Sequence, residues 1–160
     1  QDNTVYHAHG GFVIGSEFSG GMKNIVVRNN TFQGTDAGLR FKSAVKRGGK
    51  SENIYIDHIY MTDITGDAIT FETTYFDNHV GAKQQAAPVK QEFLPDFQDI
   101  HISNVYVRGC KNGIVAHGAE GMIHDITIKD SNIFYNKNAK DIDAACKITL
   151  ENVNFSTFAK

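Results

Sequence analysis

The chain has 160 residues, 41% of them apolar, with two cysteines, a formal net charge of -2 and a pI near 6.4. That length suits one domain with a sizeable core, and the balance of charge gives no electrostatic ground for nucleic acid or an anionic membrane as partner. No apolar run approaches the roughly 20 residues needed to span a bilayer, and Cys110 and Cys146 are too few for a disulfide framework or a cysteine-rich zinc site. Two buried thiols is the preferred reading of the pair, a single bridge the alternative.

Gln1-Asp-Asn-Thr at the start lacks the basic and apolar regions of a signal peptide. Asp2-Asn-Thr-Val5, with Gly11 six residues on, is in register with Asn29-Asn-Thr-Phe32 and Gly38. The expectation is a chain that begins halfway through a repeat, truncated relative to its parent. Its open end would be covered by missing N-terminal coils or by another chain, because solenoid ends expose apolar core and unpaired strand edges.

The next stretch, His9-Gly-Gly-Phe-Val-Ile-Gly-Ser16, has a counterpart in Gly38-Leu-Arg-Phe-Lys-Ser43. Both carry a Gly, an apolar residue, a variable residue and another apolar residue, which predicts two neighbouring strands. Side chains alternate between the faces of a strand. If Leu39 and Phe41 point inward, Arg40 and Lys42 point outward side by side and form a two-cation patch. His9 takes the position of Asp36, at a bend near the same outward face, so it can reach the same cleft. His7 is a weaker candidate.

Internal repetition sets the architecture of the remainder. With Ile25, Ile54, Ile100, Ile126 and Ile148 as anchors, the second position after each is Val27, Ile56, Ile102, Ile128 and Leu150, all aliphatic. The seventh is Phe32, Met61, Val107, Ile133 and Phe155, all apolar. The fourth is Asn29, His58, Asn104, Asp130 and Asn152, polar types that tolerate tight bends. Each copy alternates with period two over a few residues, so the unit is strand, bend, strand. Anchors 22 to 46 residues apart, without helical stretches between them, predict a parallel β-helix of about five to six coils with loops of variable length.

The longest interval, between Ile54 and Ile100, contains residues 73–98, which read as an inserted surface loop and a candidate cleft wall. Just before it, Ile69-Thr-Phe71 aligns with Leu39-Arg-Phe41, placing Thr70 beside Arg40 and Glu72 beside Lys42. Tyr75 leaves that strand, where it could hydrogen-bond to a sugar, stack on one, or simply pack the base of the loop. His101, His117 and His124 fall in different coils without a close ligand pair or an acidic cluster, so no metal site is expected.

The His9-Gly pair ahead of Phe-Val-Ile-Gly-Ser16, followed by Gly38-Leu-Arg-Phe-Lys42, resembles the polygalacturonase family of glycoside hydrolases. These are pectin-degrading enzymes on a right-handed parallel β-helix. The resemblance is carried by residues 9–42, and the downstream repeats are compatible with the same fold to about residue 155. It implies an all-β chain of one domain, 1–160, the C-terminal part of an enzyme that hydrolyses α-linked galacturonate with inversion. It further implies an active-site role for His9, which assists the carboxylates without being the proton donor, and substrate binding by Arg40, Lys42 and Tyr75. Pectin or an oligogalacturonide is the expected partner, with no cofactor, and the expected location is secreted or periplasmic. The family's Asn-Thr-Asp and Asp-Asp motifs are absent ahead of His9, so the chain alone is expected to be inactive. The rival readings are a carbohydrate-binding or adhesive β-helix without catalysis and, less favoured, a polysaccharide lyase, which would commonly need a calcium-binding acidic cluster.

Overall fold

A computed structural model describes residues 1–74 and 93–157 of the chain. In order, its strands are β1 (Thr4–Tyr6), β2 (Phe12–Ile14), β3 (Met22–Gln33), β4 (Leu39–Lys42), β5 (Lys50–Thr62), β6 (Asp67–Glu72), β7 (Asp96–Phe97), β8 (Ile100–His117), β9 (Ile126–Ile142) and β10 (Ile148–Thr157). They pair in parallel, each with its counterpart one coil away: β1 with β3, β3 with β5, β5 with β8, β8 with β9, β9 with β10. A further face is built by β2, β4, β6 and the ends of β8 and β9. This is the parallel β-helix that the repeat predicts, with the right hand that the family resemblance implies, and parts of six successive coils lie among the described residues.

The anchors lie in register, Ile25 beside Ile54, then Ile100, Ile126 and Ile148. So do Val27, Ile56, Ile102, Ile128 and Leu150, which form the expected inward column. Ile56, Ile102 and Ile128 are buried, while Leu150, in the last coil, is partly exposed. The ladder therefore builds the core by stacking like on like, each aliphatic side chain covered by the coils on either side.

The bends obey a simple rule. Asp2, Asn29, His58, Asn104, Asp130 and Asn152 all have φ between 50° and 60°, the left-handed region that turns the chain between two strand faces. Asn and Asp enter this region more readily than other non-glycine residues because their short side chains hydrogen-bond locally. Asn104 and Ser103 both donate to Asp57 Oδ1, at 2.7 and 2.8 Å, and His58 Nδ1 lies 2.7 Å from Asp57 Oδ2. Burial opposes the charge on Asp57, but Asn104, His58 and Ser103 outweigh it and hold the carboxyl down to about 2. A depressed carboxyl contributes stability above its unfolded value, and that contribution is lost as pH falls through the folded one. Between about pH 4 and pH 2, Asp57→Asn is expected to flatten the acid limb of the stability curve. Denaturant midpoints for both proteins across that window check this, and identical acid limbs would contradict it.

Two features differ from expectation or refine it. The far end of the 73–98 interval is not surface loop. Asp96 and Phe97 pair with Lys50 and Ser51, and Phe97 is fully buried with its ring 6.0 Å from that of Phe41 and 6.2 Å from that of Phe71. A large aromatic side chain brought back to the core gains more from burial than from solvent, and two residues suffice to pin it. At the near end, Thr73 N–H donates to the His117 carbonyl and Thr74 bridges to Ala44.

Cys110 and Cys146 are free and buried. Burial, reinforced by the charge of Asp67, pushes the Cys110 thiol up to about 12. Since the thiolate is the nucleophile, folded protein treated with iodoacetamide at pH 8 is expected to leave Cys110 unmodified until denaturant is added. Rapid labelling under native conditions, read by peptide mass, would contradict this.

Candidate active site

The face carrying β2, β4 and β6 is built on aromatic rings. Phe41 and Phe71 stack at 4.4 Å with an interplanar angle of 5°, and Phe12 meets Phe41 edge-on at 6.3 Å. Leu39, Phe41, Ile69 and Phe71 are fully buried. Their burial fixes the alternation, so Arg40 and Lys42 are turned outward and are only partly buried. Glycines set the entry to both strands: a Cβ on Gly38 would collide with Met61 and the Ala68 carbonyl, and one on Gly11 with the Phe32 ring. The Gly-apolar-x-apolar pattern is thus the imprint of a tight approach between coils.

The register places Val13 beside Arg40, Arg40 beside Thr70 and Lys42 beside Glu72. Ahead of the strands, Gly11 N–H donates to the Ala37 carbonyl at 3.0 Å and Asp36 N–H to the Ala8 carbonyl at 3.0 Å. These bonds stack the His9 bend on the Asp36 bend. His9 Nδ1 lies 2.8 Å from Asp36 Oδ2, and His9 Nε2 lies 2.9 Å from Arg40 Nη1. Thr65 Oγ1 donates to Asp36 Oδ1 at 3.2 Å from the following coil. The bonds from His9 and then Thr65, helped by the nearby charge of Arg40, outweigh burial and hold the Asp36 carboxyl below the usual carboxylate value.

Of the residues singled out from sequence, His9, Arg40 and Lys42 therefore share one outward face, and His9 and Arg40 touch. Tyr75 lies outside the described residues. Asp36 and Thr65 were missed as members of this cluster. The signal for Asp36 was its shared coil position with His9, which places the two side chains one above the other.

Further along the same face the character changes. His117 Nδ1 lies 3.3 Å from Asp143 Oδ1 and His117 Nε2 3.5 Å from Asp141 Oδ2, and Asp143 also accepts from the Gly118 N–H at 3.1 Å. Cations thus mark the β4 coil, whereas the outward row beyond it carries Glu72, Asp141 and Asp143. Among the described residues, no group of three or more His, Cys, Asp or Glu side chains is arranged to hold a metal ion.

A partly exposed guanidinium and ammonium on one strand face can hold an anionic group, and Arg can do so through two parallel hydrogen bonds. Comparison with known proteins gives that geometry its context. The structure superimposes on the hyperthermoactive exopolygalacturonase of Thermotoga maritima with a TM-score of 0.77 and 28% identity, covering 96% of this chain and 34% of that one. The family 28 exopolygalacturonase of Yersinia enterocolitica shares the fold, with a TM-score of 0.52 and 19% identity over 94% of this chain and 30% of that one. In sequence, a polygalacturonase of Ralstonia nicotianae is 28% identical over 153 residues, and one of Ralstonia solanacearum is 33% identical over 116 residues, covering 89% and 70% of this chain. The chain spans 26% and 20% of the length of these two curated relatives. The model of glycosyl hydrolases family 28 matches residues 1–154, and the chain belongs to that family.

Proposed function

We propose that this chain supplies the carboxylate-binding wall of a hydrolase that cleaves α-linked galacturonate chains of pectin. The observation that carries the reading is the contact of His9 with Arg40 at 2.9 Å, beside Lys42, on one outward face of adjoining coils. Each sugar of a galacturonan carries a carboxylate, and a fork of guanidinium hydrogen bonds recognises that group by shape as well as charge. Arg40 and Lys42 hold the carboxylate of a sugar next to the scissile bond, and His9 sits at the edge of the reacting centre. The relatives named above, polygalacturonases and exopolygalacturonases, favour the same substrate class. Pectin lies outside the cell, so a secreted or periplasmic location accompanies this role.

Inverting hydrolysis needs one carboxylic acid to protonate the leaving oxygen and a second carboxylate to activate water, roughly 6.5–9.5 Å away across the sugar. Asp36 is engaged by His9 and Thr65, and Glu72 stands next to Lys42 in the ladder. Neither is placed here as that pair. The 160-residue chain assayed by itself is therefore expected to release no reducing ends from polygalacturonate. It is expected to support turnover when joined to coils bearing two further carboxylates. General acid–base assistance contributes roughly 10² to 10⁴ in rate, so the contrast is large in a reducing-sugar assay. Robust turnover by the chain alone that is lost in Arg40→Ala would place the acid–base pair within these residues and overturn this division of labour.

A further inference from the structure

We propose that Asp36 is the positioning residue of this site: it fixes His9 as the neutral imidazole protonated on Nδ1, so that Nε2 accepts from Arg40 and sets the direction of its guanidinium. The consequence for substrate rests on the reading of Arg40 as the carboxylate-binding group.

The reasoning uses donors and acceptors alone. An ionised carboxylate only accepts, so the 2.8 Å contact between Asp36 Oδ2 and His9 Nδ1 requires a proton on Nδ1. A guanidinium only donates, so the 2.9 Å contact between Arg40 Nη1 and His9 Nε2 requires a bare lone pair on Nε2. One tautomer satisfies both. The opposite tautomer would set a lone pair against the carboxylate and an N–H against an N–H, and the imidazolium would satisfy Asp36 but still oppose Arg40. Asp36 is in turn held on its other oxygen by Thr65 at 3.2 Å, and its backbone is bonded to the Ala8 carbonyl. The hydrogen-bonded row therefore runs from Thr65 through Asp36 in the preceding coil to His9 in the coil before that, and returns to Arg40 in the coil of Asp36. A carboxylate behind an imidazole is a general way of selecting its tautomer and orientation. What the row delivers here is a guanidinium whose direction is fixed at Nη1 by His9, the orientation that recognition of a planar anion requires.

The test is direct. In the 160-residue chain labelled with ¹⁵N-histidine, long-range imidazole spectra at pH 8 are expected to show His9 with a protonated Nδ1 and an unprotonated Nε2. Asp36→Asn keeps the shape but offers a donor as well as an acceptor, so His9 is expected to shift toward the Nε2–H form that free imidazole favours in water. Thr65→Val is a second variant, expected to give a smaller shift in the same direction, and backbone amide spectra report folding of both. Trigalacturonate is expected to bind Asp36→Asn roughly tenfold more weakly, about the size of one charge-assisted hydrogen bond. In Arg40→Ala, adding Asp36→Asn is expected to change nothing further, because the two act through one contact. A wild-type His9 protonated on Nε2, or a tautomer unmoved in folded Asp36→Asn, overturns the positioning role. If the tautomer behaves as stated but Arg40→Ala binds trigalacturonate normally, it is the carboxylate-binding reading that falls.

Discussion

Arg40→Ala is expected to weaken trigalacturonate binding by roughly 10²-fold, and Arg40→Lys by roughly tenfold although the charge is retained. Losing a hydrogen-bonded partner of a charge costs more than the attraction alone, because the other group is left poorly solvated. Arg40 is partly buried and its Nη1 lies 2.9 Å from His9 Nε2, so its head group is oriented as well as charged. Lysine cannot reproduce the fork, nor can it donate to His9 Nε2 while also presenting two parallel bonds to a carboxylate. Lys42→Ala is expected to cost less than Arg40→Ala, since an ammonium acts as a point charge with a solvated alternative. Raising salt from low to about 0.5 M should shrink the Lys42 effect more than the Arg40 effect, because screening acts on exposed charge and little on geometry. Calorimetric titration of the four proteins reads all of this. Equal affinity of Arg40→Lys and the parent protein would remove bidentate recognition from the account.

The fold was legible in the sequence to the extent that its physics is periodic. Stacking like residues coil on coil forces the same type to recur at the same phase, which is why Val27, Ile56, Ile102, Ile128 and Leu150 could be aligned without a structure. The bends were legible for a related reason. A left-handed φ selects for Asn and Asp, and even His58 at this position, with φ 53°, rests its ring on Asp57. Loops have no such recurrence. The return of the long interval at Phe97 rests on two residues and one buried ring, too short a signal for periodicity to detect. In the candidate site, alternation alone turned Arg40 and Lys42 outward, since their neighbours had to be buried. The contacts among Thr65, Asp36 and His9 were less accessible, because they join bends in three coils whose loops have different lengths. Register between strands fixes such contacts, and register there is set by backbone bonds from Gly11 and Asp36 that sequence does not display.

Ile102→Ala is expected to destabilise the protein by roughly 2–5 kcal/mol, the range for truncating a buried aliphatic side chain where both transfer energy and a cavity contribute. Ile102 is 1% exposed and lies in β8 between Ile56 and Ile128, each of them also buried. Coils above and below are tied to it by ladders of backbone hydrogen bonds, so the walls of the cavity cannot collapse without breaking register. Leu150→Ala, in the same column but in the last described coil and partly exposed, is expected to cost clearly less. It covers only one neighbour in this structure and loses less area from water. In a solenoid, stability is close to a sum of each coil and its interfaces with its neighbours. A defect at Ile102 therefore weakens two interfaces at once, and it is expected to lower the slope of the urea transition by uncoupling the halves on either side, whereas Leu150→Ala shifts the midpoint with the slope preserved. Urea unfolding followed by both tyrosine fluorescence and far-ultraviolet dichroism tests this. A loss below about 1 kcal/mol at Ile102, or equal losses at the two positions, would mean that the column does not carry the core in the way its burial indicates.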